Sequence, residues 1–197
     1  MLIGVLLSSC KKGAEDPIFT VLPRKARLTG TWTLLSGTGS RVYTNTSDTH
    51  SNAFSESYSV DNFINSVTYV NGANEVNYQV DLDVRYEFNR DKTAKESWKT
   101  EVYNLSTGQK YVQNRVSEGT WGWKSGKEHV LLKFESVLTE NDCVGCDTTL
   151  IEYSSPIEKN LKLIRLANRE LKIEIVEEES GTSVSDITTW NIRLIKD

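Results

Sequence analysis

The run Val80-Asp81-Leu82-Asp83-Val84-Arg85-Tyr86-Glu87-Phe88 constrains this chain more than any other feature. Every even position is apolar or aromatic and every odd position is charged. Successive side chains of a strand point to opposite faces, so this run reads as a strand with one dry face and one wet face. The pattern returns after short turns. Trp98 to Tyr103, Lys110 to Val116, Gly119 to Lys124, His129 to Phe134, Leu161 to Leu166, Leu171 to Val176 and Trp190 to Ile195 all read as strands. Between them lie Asn89-Arg90-Asp91-Lys92, Ser106-Thr107-Gly108, Lys124-Ser125-Gly126-Lys127 and Ala167-Asn168-Arg169. Short strands about 8–12 residues apart, joined by tight turns, predict an antiparallel meander. Composition agrees, with 6 alanines against 17 valines and 19 threonines, because strands favour β-branched residues and helices favour Ala. Closure removes the exposed edges that invite aggregation, so the expected fold is all-β, an antiparallel up-and-down meander closing into a barrel of about 8–10 strands. Residues 37–78 are longer and richer in Ser and Asn than a compact hairpin loop. They leave the early strand order open, and as an extended polar stretch they are where protein contacts would sit.

The N-terminus carries an address. Met1 to Ser9 is apolar and then small, too short for the roughly 20 residues a membrane span needs, and it fits the end of a secretory hydrophobic region. No basic stretch precedes it, so the leader is expected to start upstream of Met1. Leu7-Ser8-Ser9-Cys10, followed by Lys11-Lys12, resembles a bacterial lipobox. That resemblance implies that 1–9 is a signal peptide and that Cys10 is acylated and anchors the protein to a membrane. No Asp follows Cys10, which implies the outer membrane, on its periplasmic or cell-surface face. Residues 10–27, with Pro17 and Pro23, lack a sustained period and read as anchor and tether. Arg24-Lys25-Ala26-Arg27 reads as a solvated basic run. The domain is then 28–197.

Gly30-Thr31-Trp32, opening the first strand after that basic segment, resembles the Gly-x-Trp signature of lipocalins. Tyr86 to Thr93 followed by Gly119-Thr120-Trp121 makes the chain similar to the lipocalin-like lipoproteins of Bacteroidetes, over about residues 24 to 197. The resemblance implies a barrel shut at one end by Gly30, Trp32 and a basic residue stacked across the Trp, here Arg193. It also implies a cup for a small apolar or amphipathic ligand. Trp98, Trp121 and Trp123 are the candidate lining aromatics, and the same residues fit a barrel whose interior is simply filled.

Other constellations carry less. Cys143-Val144-Gly145-Cys146 fits a local disulfide outside the cytoplasm, and no second pair completes a zinc ribbon. His50 and His129 are the only histidines, 79 positions apart, and no nucleophile motif accompanies either. Asp81, Asp83 and Glu87 share a face with Arg85, which is the pattern of a solvated exterior. Ser36-Gly37-Thr38-Gly39-Ser40 lacks the Lys-Ser/Thr and the helix a phosphate loop needs. Glu140, Asn141, Asp142 and Asp147 match no calcium-loop spacing, and Glu177-Glu178-Glu179 reads as a hairpin tip. Lys plus Arg number 23 against 27 for Asp plus Glu, a net charge of −4, which gives no basis for nucleic-acid binding. The expectation is a non-enzymatic binding protein with no metal or cofactor. A structural subunit of an outer-membrane complex is the alternative, with envelope proteins as its partners.

Overall fold

The structure, a computed structural model, describes residues 22–45, 52–61, 64–71, 74–103, 110–142, 149–180 and 184–197. A short helix α1 (Arg24–Leu28) precedes ten strands. They are β1 (Gly30–Asn45), β2 (Asn52–Asp61), β3 (Ile64–Asn71), β4 (Asn74–Phe88), β5 (Thr93–Tyr103), β6 (Lys110–Lys124), β7 (His129–Asp142), β8 (Thr149–Leu166), β9 (Glu170–Ser180) and β10 (Val184–Lys196). Each pairs antiparallel with its neighbour in sequence, and β10 pairs back on β1, closing the sheet into the expected barrel.

The circumference changes along the axis. At the α1 end, β1 pairs directly with β4, Gly30 against Phe88 through Thr33 against Arg85. From Ser36 onward β1 pairs with β2 instead, while the upper part of β4 pairs with β3. The β2–β3 hairpin is thus wedged into an eight-stranded ring and makes it ten-stranded at the far end. Two added strands widen the perimeter by roughly 10 Å at the usual inter-strand spacing. The described residues of 37–78, expected as an extended polar stretch, form the rest of β1, the strands β2 and β3 and the start of β4.

Alternation places the core. Val84, Tyr86 and Phe88 of β4, Val130, Leu132 and Phe134 of β7, Leu171, Ile173 and Ile175 of β9, and Ile192 and Leu194 of β10 are all buried. Their intervening neighbours Arg85, Lys133 and Arg193 are exposed. The expected charged exterior of β4 is observed, with Arg85 Nη2 3.6 Å from Asp83 Oδ2.

The narrow end is plugged. Leu28 and Trp32 are fully buried, and the Trp32 indole N–H donates to the Leu28 carbonyl at 2.7 Å. Arg27 is buried and donates to the Leu166 carbonyl, while Arg24 lies 5.9 Å from the centroid of the Trp123 ring. The basic run 24–27, read from sequence as solvated tether, is therefore part of the plug. Burying a guanidinium requires hydrogen-bonded partners, and the helix brings Arg27 onto a carbonyl that no nearby residue in sequence supplies. Gly30 adopts φ 130, a backbone conformation that L side chains rarely adopt, so the strand-opening position requires glycine.

The cation across Trp32 is not Arg193. β10 turns its even-numbered residues inward, so Arg193 faces solvent, where its Nε lies 2.6 Å from Glu170 Oε1. Lys196, paired with Trp32 in register, places its Nζ 5.2 Å from the Trp32 ring centroid and donates to the Arg27 carbonyl at 2.9 Å. Burial holds the Lys196 ammonium below the usual lysine range.

Candidate functional site: an aromatic and ionic floor beneath the wide end

Within the eight-stranded end, where Tyr86 is the register partner of Trp32, the barrel interior turns polar. Tyr86 and Glu96 are cross-strand partners and both are buried. The Tyr86 hydroxyl donates to Glu96 Oε1 at 2.6 Å. Lys159 reaches the same oxygen from β8 at 2.9 Å and Glu177 Oε1 on β9 at 2.8 Å. Its Nζ also lies 5.3 Å from the Trp98 ring centroid. Trp98 and Trp190 meet with centroids 5.5 Å apart and planes tilted by 58°.

Each buried charge is compensated. Burial pushes the Glu96 carboxyl up, but the Lys159 ammonium and hydrogen bonds from Tyr86, Trp98 and Lys159 outweigh it, leaving the carboxyl below its ordinary range. Burial pulls Lys159 down, and Glu96 and Glu177 more than reverse this. The Tyr86 hydroxyl is pushed well up, by burial first and then by the Glu96 charge. An ammonium already shared by two carboxylates is neither nucleophile nor base. The cluster is a charge-compensated floor.

Trp190 lies across Gly39, its register partner on β1. A Cβ at Gly39 would run into the indole ring, so the glycine that fails as a phosphate loop serves as the seat for a tryptophan. Replacing Gly39 with Leu is expected to displace Trp190 from Trp98 and to cost about 1–3 kcal/mol, as overpacking generally does. Near-ultraviolet circular dichroism and urea unfolding measure the two effects.

The three sequence candidates part company. Trp121 belongs to the plug: it is buried, donates to the Asn89 carbonyl at 3.0 Å and meets Phe88 edge-on at 5.9 Å. Trp123 packs edge-on against it at 5.7 Å. Both lie in the narrow layers, so they fill the interior and do not line a cup. Trp98 alone of the three reaches the floor, and Trp190 joins it. Glu177 is not a hairpin tip but a strand residue whose carboxylate turns inward to Lys159. Higher on the same wall, β6 points Arg115, Gln113 and Tyr111 to the side shared by Trp98 and Val102. Gln113 Nε2 and Tyr111 Oη both donate to Asn141 Oδ1, at 3.0 Å and 2.7 Å.

His129 has an ordinary polar role, with its Nδ1 3.0 Å from Asn160 Nδ2. An outer-wall groove of about 210 Å³ is lined by Asp81, Glu101, Val102, Tyr103 and Lys110. Of its two carboxylates, Glu101 is satisfied, since hydrogen bonds and charge from Lys110 and Lys99 hold it at about 2. Among the described residues no group of His, Cys, Asp and Glu is placed to hold a metal ion. Cys10, His50, Cys143 and Cys146 lie outside the described residues.

The chain matches no family model, no curated protein and no solved structure.

Proposed function

We propose that this protein is a lipid-anchored, lipocalin-like envelope protein that binds a small apolar or amphipathic ligand in the wide end of its barrel and carries out no chemistry on it. One observation carries the reading: the ring gains two strands at the level of the paired Trp98 and Trp190, since Gly39, the register partner of Trp190, already pairs with β2. A barrel built only for stability has no use for the extra girth, and ligand sites in barrels sit in their mouths, lined by aromatics with a few placed polar groups. The ionisable groups of the floor are spent on one another, which favours binding over catalysis. The address rests on the sequence, in the apolar leader ending at Cys10.

The test uses ω-bromododecanol, an uncharged chain whose bromine quenches nearby indoles. Titration into the full chain is expected to quench tryptophan emission saturably. Trp98→Phe and Trp190→Phe each remove a large part of the quench, and Trp121→Phe leaves it in place. A linear, unsaturable response in the wild-type chain rejects the reading.

A further inference from the structure

The barrel wall is not hydrogen-bonded over its whole height. β8 and β9 pair only from Leu161 against Ile175 down to Leu166 against Leu171. Above that, β9 continues to pair with β10 as far as Ser180 against Ser185. β8 continues with β7 as far as Thr149 against Thr139. The two strands thus leave a seam, and the Lys159–Glu177 ion pair spans its lower end at 2.8 Å. Along residues 149–158 of β8 every side chain is exposed except the half-buried Tyr153, whereas a paired barrel wall shields its inner face.

Free strand edges are normally blunted with charge. This one carries Leu150, Ile151 and Ile157 on β8 and Val176 on β9, four of the ten large hydrophobic side chains described as exposed. Concentrating them beside the seam exposes apolar surface where water is displaced most usefully by another apolar group. A partner strand is a poor occupant, because Pro156 sits among them without an N–H and the β7–β8 register breaks between Phe134 and Ser136; both disrupt a regular edge. A hydrocarbon chain asks for no hydrogen bonds. Lys159, which spans the base of the seam, also covers Trp98, so the seam and the floor of the cup are continuous.

We infer that the seam between β8 and β9 is a side portal that admits a single hydrocarbon chain to the cup, with Val176, between inward Ile175 and Glu177, as its outer lip, Ile157, which shares the inward face of its partner Phe134, as its inner lip, and the Lys159–Glu177 pair as its sill. This rests on the ligand-binding reading above and adds the route and the class of the entering group. The experiment follows the rate at which ω-bromododecanol quenches tryptophan emission in stopped flow, using the full chain. Ile157→Asp and Val176→Asp place a charge that the passing chain would desolvate, and each is expected to slow association about tenfold. Ile195→Asp, an equally exposed position low on β10, leaves the rate unchanged. Saturable quenching at the wild-type rate in both lip variants overturns the portal while leaving the cup in place. Absence of saturable quenching in the wild-type chain removes both.

Discussion

Lys159→Met is expected to lower stability by about 3–5 kcal/mol, the usual cost of stranding one member of a buried ion pair. Glu96 is buried, and its charge is balanced by Lys159 at 2.9 Å together with the Tyr86 hydroxyl at 2.6 Å. Methionine fills much of the lysine stem's volume, so the loss is electrostatic and not a cavity. Adding Glu96→Gln to Lys159→Met removes the stranded charge, and the double variant is expected to recover most of the deficit. Urea unfolding of the four members of the cycle measures the coupling. Equal losses in the single and double variants would mean that the carboxylate was never held by the lysine.

The pH dependence carries the same pair further. Glu96 titrates below its ordinary value of 4.5 in the folded protein. Its contribution is therefore present above that value and is lost as pH falls through the folded pKa. Lys159 titrates above its ordinary 10.5, so its contribution is present below that value and is lost as pH rises through the folded pKa. Tyr86, pushed up from 10.0, adds to the alkaline loss because the unfolded chain ionises first. Wild-type stability from this cluster is thus flat between the carboxylate and lysine ranges. In Lys159→Met the acid limb reverses: burial now dominates at Glu96, its pKa rises, and acidification from neutrality toward 4.5 stabilises the variant. Chemical unfolding at a series of pH values reads that change of sign directly.

The barrel was legible because one physical rule generates it. Alternation of period two marks which side of each strand is dry, and Val80 to Phe88 states the rule without exception. The closing cation was legible by the same rule and was misassigned by the resemblance. Trp190, Ile192 and Leu194 alternate inward, so Arg193 between them has to face water, and the next inward cation is Lys196. The ionic floor was harder to see. Glu96 stands between Ala94 and Trp98 on the dry side of β5, which is a signal, but its partner Lys159 is 63 positions away on a strand whose register shifts. Alternation within a strand does not say which distant strand completes a charge pair. Residues 37–78 hid β2 and β3 for a related reason: Phe54, Tyr58 and Val60 stand among serines, too sparse a stripe to mark a dry face. The register that inserts this hairpin above Thr33 is a property of the closed sheet and not of either strand.

Trp32→Ala is expected to be the most damaging single truncation in the plug, at about 3–5 kcal/mol. The indole is fully buried, and its loss opens a cavity between α1 and the first layer of the barrel while leaving the Leu28 carbonyl without its donor. Trp32→Phe separates the two contributions by keeping most of the volume and removing only the N–H, and it should recover more than half the loss. The cation across the ring supplies a further discrimination. Lys196→Met removes both the contact with the Trp32 face and the hydrogen bond to the Arg27 carbonyl, at roughly 1–2 kcal/mol. Arg193→Gln removes an exposed ion pair and is expected to cost under about 1 kcal/mol. Thermal or urea unfolding that ranked Arg193→Gln above Lys196→Met would place the clamp on the outward-facing Arg193 and overturn the inward stripe of Trp190, Ile192, Leu194 and Lys196.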